Sequence, residues 1–388
     1  MDKLCVVGSM NVDLTVTVPR FHLPGESMFA LSFNTYTGGK GGNQAIAAAR
    51  LGADVTMVGC LGNDSFSNIY LEALDREGIS REGIVLTHEA PTGIAFIEVD
   101  PAGENRILVN KGANDELSCE AVTQKEALIR SAGVCLFQLE NPLPAINHAM
   151  AIARQAGAKV ILDPAPVPHT KVSGAIFALC DVVTPNETEL NLLTGMPVDT
   201  LEEAAAAAMK LIAQGARAVI NKRGAQGALL VTSQGYKLYP GFKVKVVDTT
   251  AAGDSFNAGL GVGLAMGWEL GEAIVTGQRR GGPEHHRPGG PGRHAHHGAG
   301  HGAAVKRSAK NIRPEAQGFR PMDIAATTTC RGTRGAPSRR VRKNQRPLPQ
   351  GSERWFSAWF RTPTRCSPGR TGRRGGDLPG RGPCRRNP

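Results

Sequence analysis

Asp248-Thr-Thr-Ala-Ala-Gly-Asp254-Ser-Phe-Asn-Ala-Gly259 sets a carboxylate among small residues where a strand gives way to a helix. Upstream, Gly241-Phe-Lys-Val-Lys-Val-Val247 alternates lysine with apolar residues and reads as a strand, while Phe256 to Leu270 carries helical apolar spacing. Ala251, Ala252 and Gly253 therefore fall at a helix start. Small residues there let backbone N–H groups approach an anion, and the helix dipole adds partial positive charge. Asp254 beside such a hole is repelled by phosphate unless it has work to do, such as taking the proton from an attacking hydroxyl. An ordinary helix N-cap with a glycine-rich first turn explains the same residues about as well.

Outward from this stretch, the chain alternates short apolar runs with helical segments. Strands are expected at Leu4–Gly8, Val55–Gly59, Val134–Leu139, Lys159–Leu162, Val182–Thr184, Ala218–Asn221 and Ala228–Val231. Helices are expected at Asn43–Leu51, Leu143–Gln155, Glu187–Leu193 and Thr200–Gln214. That order predicts an α/β fold, a mostly parallel sheet with helices on both faces. Two regions break the pattern, about 12–37 and about 90–110, where Leu14–Val18 and Gly93–Val99 alternate as half-exposed strands do. They predict a small separate sheet, serving as a substrate lid or a dimer surface.

Polar groups collect at the predicted strand ends, where parallel sheets bind ligands. Gly38-Gly39-Lys40-Gly41-Gly42-Asn43-Gln44 opens one helix with glycines that permit close backbone approach, and Lys40 and Asn43 add donors. It is no Walker P-loop, because the Gly-x-x-x-x-Gly-Lys-Ser/Thr pattern is absent. Asn11 and Asp13 follow the first strand, and Glu140 ends another. Thr184-Pro-Asn186-Glu187-Thr-Glu189 brings carboxylates able to hold Mg²⁺ through water, although an N-capped helix start accounts for Asn186 and Glu189 too. Arg223-Gly224-Ala-Gln-Gly227 links two strands, as a nucleotide-lining segment or a tight turn.

Charge divides the chain. Residues 1–277 carry 20 Lys+Arg against 29 Asp+Glu, whereas residues 278–388 carry 25 against 5. The first part reads as an acidic cytoplasmic enzyme. The eight cysteines are scattered without metal-ligand spacing, no N-terminal signal is evident and no apolar run reaches membrane-spanning length.

Gly38–Gly52 and Asp248–Gly259 together resemble the ribokinase-like (PfkB) carbohydrate kinases. Asn11-x-Asp13, Gln138-Leu-Glu140, Asp163-Pro-Ala-Pro166 and Thr184–Glu189 add to the likeness, which covers residues 1 to about 277. The resemblance implies ATP-dependent phosphorylation of a sugar, with D-ribose at its 5-hydroxyl ahead of deoxyribose, another pentose or a nucleoside. It implies a sugar site of Asn11, Asp13, Gly39, Lys40, Asn43 and Glu140, Asp254 as base, and Ala251, Ala252 and Gly253 as anion hole. Asn186 and Glu189 would serve Mg²⁺ and the phosphates, Gly224 and Gly227 would border the nucleotide, and Asp248 and Thr250 would contribute to a K⁺ site. The lid sheet would also join two copies in a homodimer.

After Gly277 the sequence has no apolar periodicity, and Arg, Gly and Pro dominate, as expected of a disordered segment. A family member would continue with Asn-Ala-Ala-Ala-Ala-Leu-Ser-Val-Thr and then Gly-Ala. Read one nucleotide out of phase, the codons allowed for Gly277 to Val305 permit Gly-Asn-Ala-Ala-Ala-Ala-Leu-Ser-Ile-Thr, then Gly-Ala two residues on, and a stop at Val305-Lys306. The expectation is a frameshift that joins a kinase body to out-of-frame translation and removes part of the nucleotide pocket, leaving the chain inactive. A nucleic-acid-binding arm is the competing reading, but the tail has 22 arginines to only three lysines. Its histidines, His285, His286, His294, His296, His297 and His301, are too irregularly spaced to predict a metal site.

Overall fold

Leu4-Cys-Val-Val7 is buried at every position, and its alternate residues serve two different cores. Leu4 and Val6 join one with Met57, Leu136 and Leu260, whereas Cys5 and Val7 join the other with Phe137, Ile146 and Leu190. A strand can do this only inside a sheet covered on both faces. The computed structural model describes residues 1–168, 172–242 and 251–280.

The chain runs β1 (Leu4–Val7), β2 (Asn11–Thr17), β3 (Ser32–Gly38), α1 (Lys40–Arg50), β4 (Val55–Gly62), α2 (Ser65–Arg76), β5 (Ile84–Thr87), β6 (Gly93–Val99) and β7 (Asn105–Asn110). It continues through α3 (Cys119–Gln124), α4 (Glu126–Arg130), β8 (Val134–Phe137), α5 (Leu143–Gln155), β9 (Lys159–Leu162), β10 (Val182–Val183), α6 (Glu187–Thr194) and α7 (Leu201–Ala213). Last come β11 (Ala218–Lys222), β12 (Gly227–Thr232), β13 (Gly235–Pro240), α8 (Ala252–Ala265) and α9 (Leu270–Arg280).

Among the described residues nine strands form the main sheet, in the order β13-β12-β11-β10-β9-β8-β1-β4-β5. Pairing is parallel from β11 to β5, and β12 and β13 close one edge antiparallel. From β1 the sheet grows first toward β4 and β5, then toward β8 and beyond, so a topological switch lies between β1 and β8. Ligands collect outside the carboxyl ends of strands at such a point.

The small sheet has the order β3-β2-β6-β7 and carries both segments expected of a lid. Alternation at Leu14–Val18 and Gly93–Val99 located β2 and β6, while β3 and β7 are almost wholly exposed and show no apolar period to find them by.

Several boundaries differ from expectation. Helix α1 begins at Lys40, three residues early, because a turn with Gly39 at φ 82° starts it. Helix α8 spans Ala252–Ala265, ending before the predicted Leu270 where Gly267 takes φ 78°. Most of the strand predicted at Gly241–Val247 lies outside the described residues. Helix α9 packs so closely on α8 that a Cβ at Gly277 would stand 2.7 Å from the Phe256 carbonyl oxygen. Among the described residues no helix is long and apolar enough to cross a membrane.

Candidate active site

Asn11, Glu140, Asp163, Asn186 and Lys222 all stand at or just past the carboxyl ends of strands, and α1 and α8 begin among them. In the sugar half expected from the sequence, Glu140 accepts from the Lys40 backbone N–H at 3.0 Å and from the Ser9 hydroxyl. Asn114 is buried and accepts from the Met10 N–H at 2.8 Å, while its amide donates to Asn11 Oδ1 at 2.8 Å. That bond orients the Asn11 amide, whose NH₂ and second oxygen lone pair remain available to a ligand. Gly39 is required at its place: φ is 82°, and a Cβ there would lie 2.7 Å from the Asn11 nitrogen. Burial pushes the Asp13 carboxyl up to about 7, and repulsion from Glu140 adds to the effect.

The two long motifs meet at Asp254. This carboxylate is 5% exposed and accepts from Asn43 Nδ2 and from Gln44 Nε2, each at 3.1 Å. Burial raises it to about 6, the Lys40 cation and the two amide donors pull it down, and Asp163 pushes it further up. A carboxylate titrating there is ionised at neutral pH and still basic enough to accept a proton. For Lys40, burial opposes the charge, but the carboxylates of Asp254, Asp163, Glu140 and Glu189 outweigh it and hold the ammonium above its ordinary range.

Helix α8 opens differently from its neighbours. Asp64, Asn186 and Thr200 cap α2, α6 and α7 with capping boxes, whereas Ala251 caps α8 with no side-chain bond and a left-handed φ of 57°. A non-glycine residue held there costs about 1–2 kcal/mol. The uncapped N–H groups at Ala252 and Gly253 are what an anion would complete.

A cavity of about 480 Å³ extends from this point, lined by Ala251–Asp254, Lys40, Asp163, Asn186, Glu189, Lys222 and Gly224 among others. Gly227 is not in its wall. A Cβ there would fall 2.1 Å from the Tyr239 carbonyl oxygen, so this glycine lets the β12–β13 edge pack. Asn186 and Glu189 form the capping box of α6, with both Glu189 oxygens accepting from Asn186. Each oxygen keeps a second lone pair, and burial raises the Glu189 carboxyl, an effect a cation would relieve. Among the described residues no three His, Cys, Asp or Glu cluster as a metal cage. The donor set thus fits a Mg²⁺ that arrives with phosphates and keeps its waters, the usual habit of that ion. Asp248 and Thr250 lie outside the described residues.

Besides Asn114, two participants went unassigned in the sequence, Gln44 and Lys222. Gln44 Nε2 donates both to Asp254 and, at 3.2 Å, to Asp163 Oδ2, while its oxygen accepts from Gln138 at 2.7 Å. Lys222 pairs with Asp163 Oδ1 at 2.8 Å. The available signal was a charge ending the buried Ala218-Val-Ile-Asn221 run, at the carboxyl end of a strand as Glu140 is.

Comparison with known proteins agrees with this geometry. The model of the pfkB family of carbohydrate kinases matches residues 1–282. A ribokinase of Haemophilus influenzae is 40% identical over 275 residues, 71% of this chain and 89% of the relative. A deoxyribokinase of Salmonella typhimurium is 36% identical over 253 residues, 65% of this chain and 82% of its own. The structure of Arabidopsis thaliana ribokinase complexed with ribose and ATP superposes with a TM-score of 0.67 at 32% identity, covering 71% of this chain and 91% of that one. With its two motifs meeting at one buried carboxylate over an uncapped helix start, the chain belongs to the pfkB family of carbohydrate kinases.

Proposed function

We propose that this chain transfers the γ-phosphoryl group of ATP to the 5-hydroxyl of D-ribose. The observation that carries the reading is the Asp254 carboxylate, buried, held by Asn43 and Gln44, and set one residue past Gly253 in the uncapped first turn of α8. Asp254 takes the hydroxyl proton as the oxygen attacks phosphorus, and the N–H groups at Ala252 and Gly253 receive the charge that develops on the phosphoryl oxygens. Asn11, Asp13, Lys40, Asn43 and Glu140 orient the sugar, an alignment worth more to the rate than any single group. Bound Mg²⁺ would neutralise phosphate charge, with Glu189 and Asn186 holding its waters. Gly224 borders the nucleotide, and Asp248 and Thr250 belong to a K⁺ site.

The relatives that phosphorylate ribose support this choice of sugar, and the deoxyribokinase at 36% identity makes 2-deoxyribose the second reading. Buried, unpaired Cys5, Cys60, Cys135 and Cys180 suit a reducing compartment such as the cytoplasm. The family match ends at residue 282, which supports reading the rest as out-of-frame translation appended to a kinase body.

ADP release measured with a panel of pentoses, on the 388-residue chain and on a frame-restored version, tests both readings. Turnover of ribose by the restored protein alone is the expected result. No turnover of any sugar by either removes the kinase reading, and an unbroken reading frame in the DNA removes the frameshift.

A further inference from the structure

Lys222 ends a strand whose four preceding residues are buried, and its own side chain is only 14% exposed. Its ammonium lies 2.8 Å from Asp163 Oδ1, and a Cβ at Gly253 would stand 3.5 Å from it. A lysine needed only to neutralise Asp163 has no reason to reach the uncapped start of α8. Lys222 does, and it lines the same cavity as Lys40, Gly253 and Asp254. Its partner is placed just as pointedly: the other Asp163 oxygen takes Gln44 Nε2, which also donates to Asp254 Oδ1. A continuous line thus runs from the ammonium at the helix start, through Asp163 and Gln44, to the carboxylate proposed as base.

We propose that Lys222 is a further charge-stabilising residue of the phosphoryl transfer, its ammonium shared between Asp163 at rest and the phosphoryl oxygens in the transition state. This rests on the kinase reading above. In the step, the sugar oxygen bonds to the γ-phosphorus, the bond from that phosphorus to the bridging oxygen breaks, ADP leaves and the hydroxyl proton passes to Asp254. Lys222 keeps its proton throughout. Its contribution is Coulombic, exerted on charge that grows on the equatorial oxygens of the transferring group. Asp163 holds the ammonium in place before the nucleotide arrives, which spares reorganisation during the reaction.

The test uses the frame-restored protein, the version expected to turn over ribose, with Lys222→Met, Lys222→Arg and the double variant Lys222→Met/Asp163→Asn, each checked for a native melting transition. The double variant removes both buried charges and so separates chemistry from neutralisation. Lys222→Met is expected to lose about 10²–10³-fold in kcat with the sugar KM within about threefold. The double variant stays as slow, and Lys222→Arg recovers part of the rate. Binding supplies a second readout: ADP with fluoroaluminate, a mimic of the transferring group, binds Lys222→Met about 10²-fold more weakly than wild type, while ADP alone binds alike. Recovery of kcat in the double variant, or equal fluoroaluminate affinity, overturns the role of Lys222. Absence of sugar turnover by the unsubstituted frame-restored protein, with the fluoroaluminate difference intact, overturns the choice of substrate and leaves Lys222 standing.

Discussion

Gln44 Nε2 donates to Asp254 Oδ1 at 3.1 Å although 210 residues separate the two in sequence. The contact joins the glycine-rich opening of α1 to the first turn of α8, so each motif holds the other's key side chain. Because the same amide also serves Asp163, one fully buried group restrains two neighbouring carboxylates that repel each other.

Removing that donor has a defined consequence. In Gln44→Met the hydrogen bond that lowers the Asp254 pKa is lost, so the acid limb of the kcat profile moves upward by roughly half a unit to one unit. At pH 8 the carboxylate is ionised in either protein and the rate difference is smaller. A pH–rate profile checks this; a limb that stays in place would show that Gln44 does not act on Asp254.

Asp254→Asn separates activity from stability. The rate is expected to fall about 10²–10⁴-fold, the share of a general base. Stability goes the other way. The folded carboxyl titrates at about 6 against an ordinary 3.8, so its stabilising contribution is complete below the lower value and is lost as pH rises through the upper one. At pH 8 wild type therefore bears a buried charge that the amide lacks. Thermal melts should place the variant above wild type at pH 8, by roughly 2–4 °C per kcal/mol released, and level with it near pH 4. A lower melting temperature at pH 8 would mean that Lys40, Asn43 and Gln44 fully compensate the charge.

How far the site could be read from the chain depended on the kind of group involved. Lys159–Leu162 and Leu143–Gln155 fall where periodicity puts them, since burial on one or both faces leaves a repeating apolar pattern. Asp254, Lys40 and Glu140 announced themselves as charges beside glycines or at strand ends. Gln44, Asn114 and Lys222 did not, because each works through a partner far away in sequence. Glycine spacing could not distinguish Gly224, in the cavity wall, from Gly227, which serves strand packing. The exposed β7 has no buried face, so only its pairing with β6 defines it.

Asp13 is placed to decide between sugars. It lies on β2 of the lid sheet, half-buried near Glu140, with a carboxyl at about 7. If it clamps two ring hydroxyls, Asp13→Ala raises KM for ribose about 10–100-fold, the range of a hydrogen bond to a charged group. KM for 2-deoxyribose changes much less. The ionised form is the better acceptor, so wild-type KM for ribose should fall as pH rises from about 6 to 8. Steady-state kinetics on both sugars decide it, and equal losses on the two discard the role.

The lid's opposite face leads to a prediction about assembly. Register places Asp13 on one side of the small sheet and Leu14, Phe33, Phe96 and Leu108 on the other. Of these, Phe33, Phe96 and Leu108 are 59%, 47% and 76% exposed. Three large apolar side chains clustered on a small sheet are costly to leave in water, and sheets so exposed are commonly covered by a second copy. We therefore expect a homodimer joined through this face. Leu108→Lys puts a charge at the most exposed of the three without touching the Asp13 side. Light scattering after size exclusion should give twice the chain mass for wild type and a single chain mass for the variant. Loss of the dimer would also loosen the lid over the sugar, so the variant's KM rises while kcat at saturating sugar holds. A wild-type monomer, or a variant that remains dimeric, assigns this face to something other than a second copy.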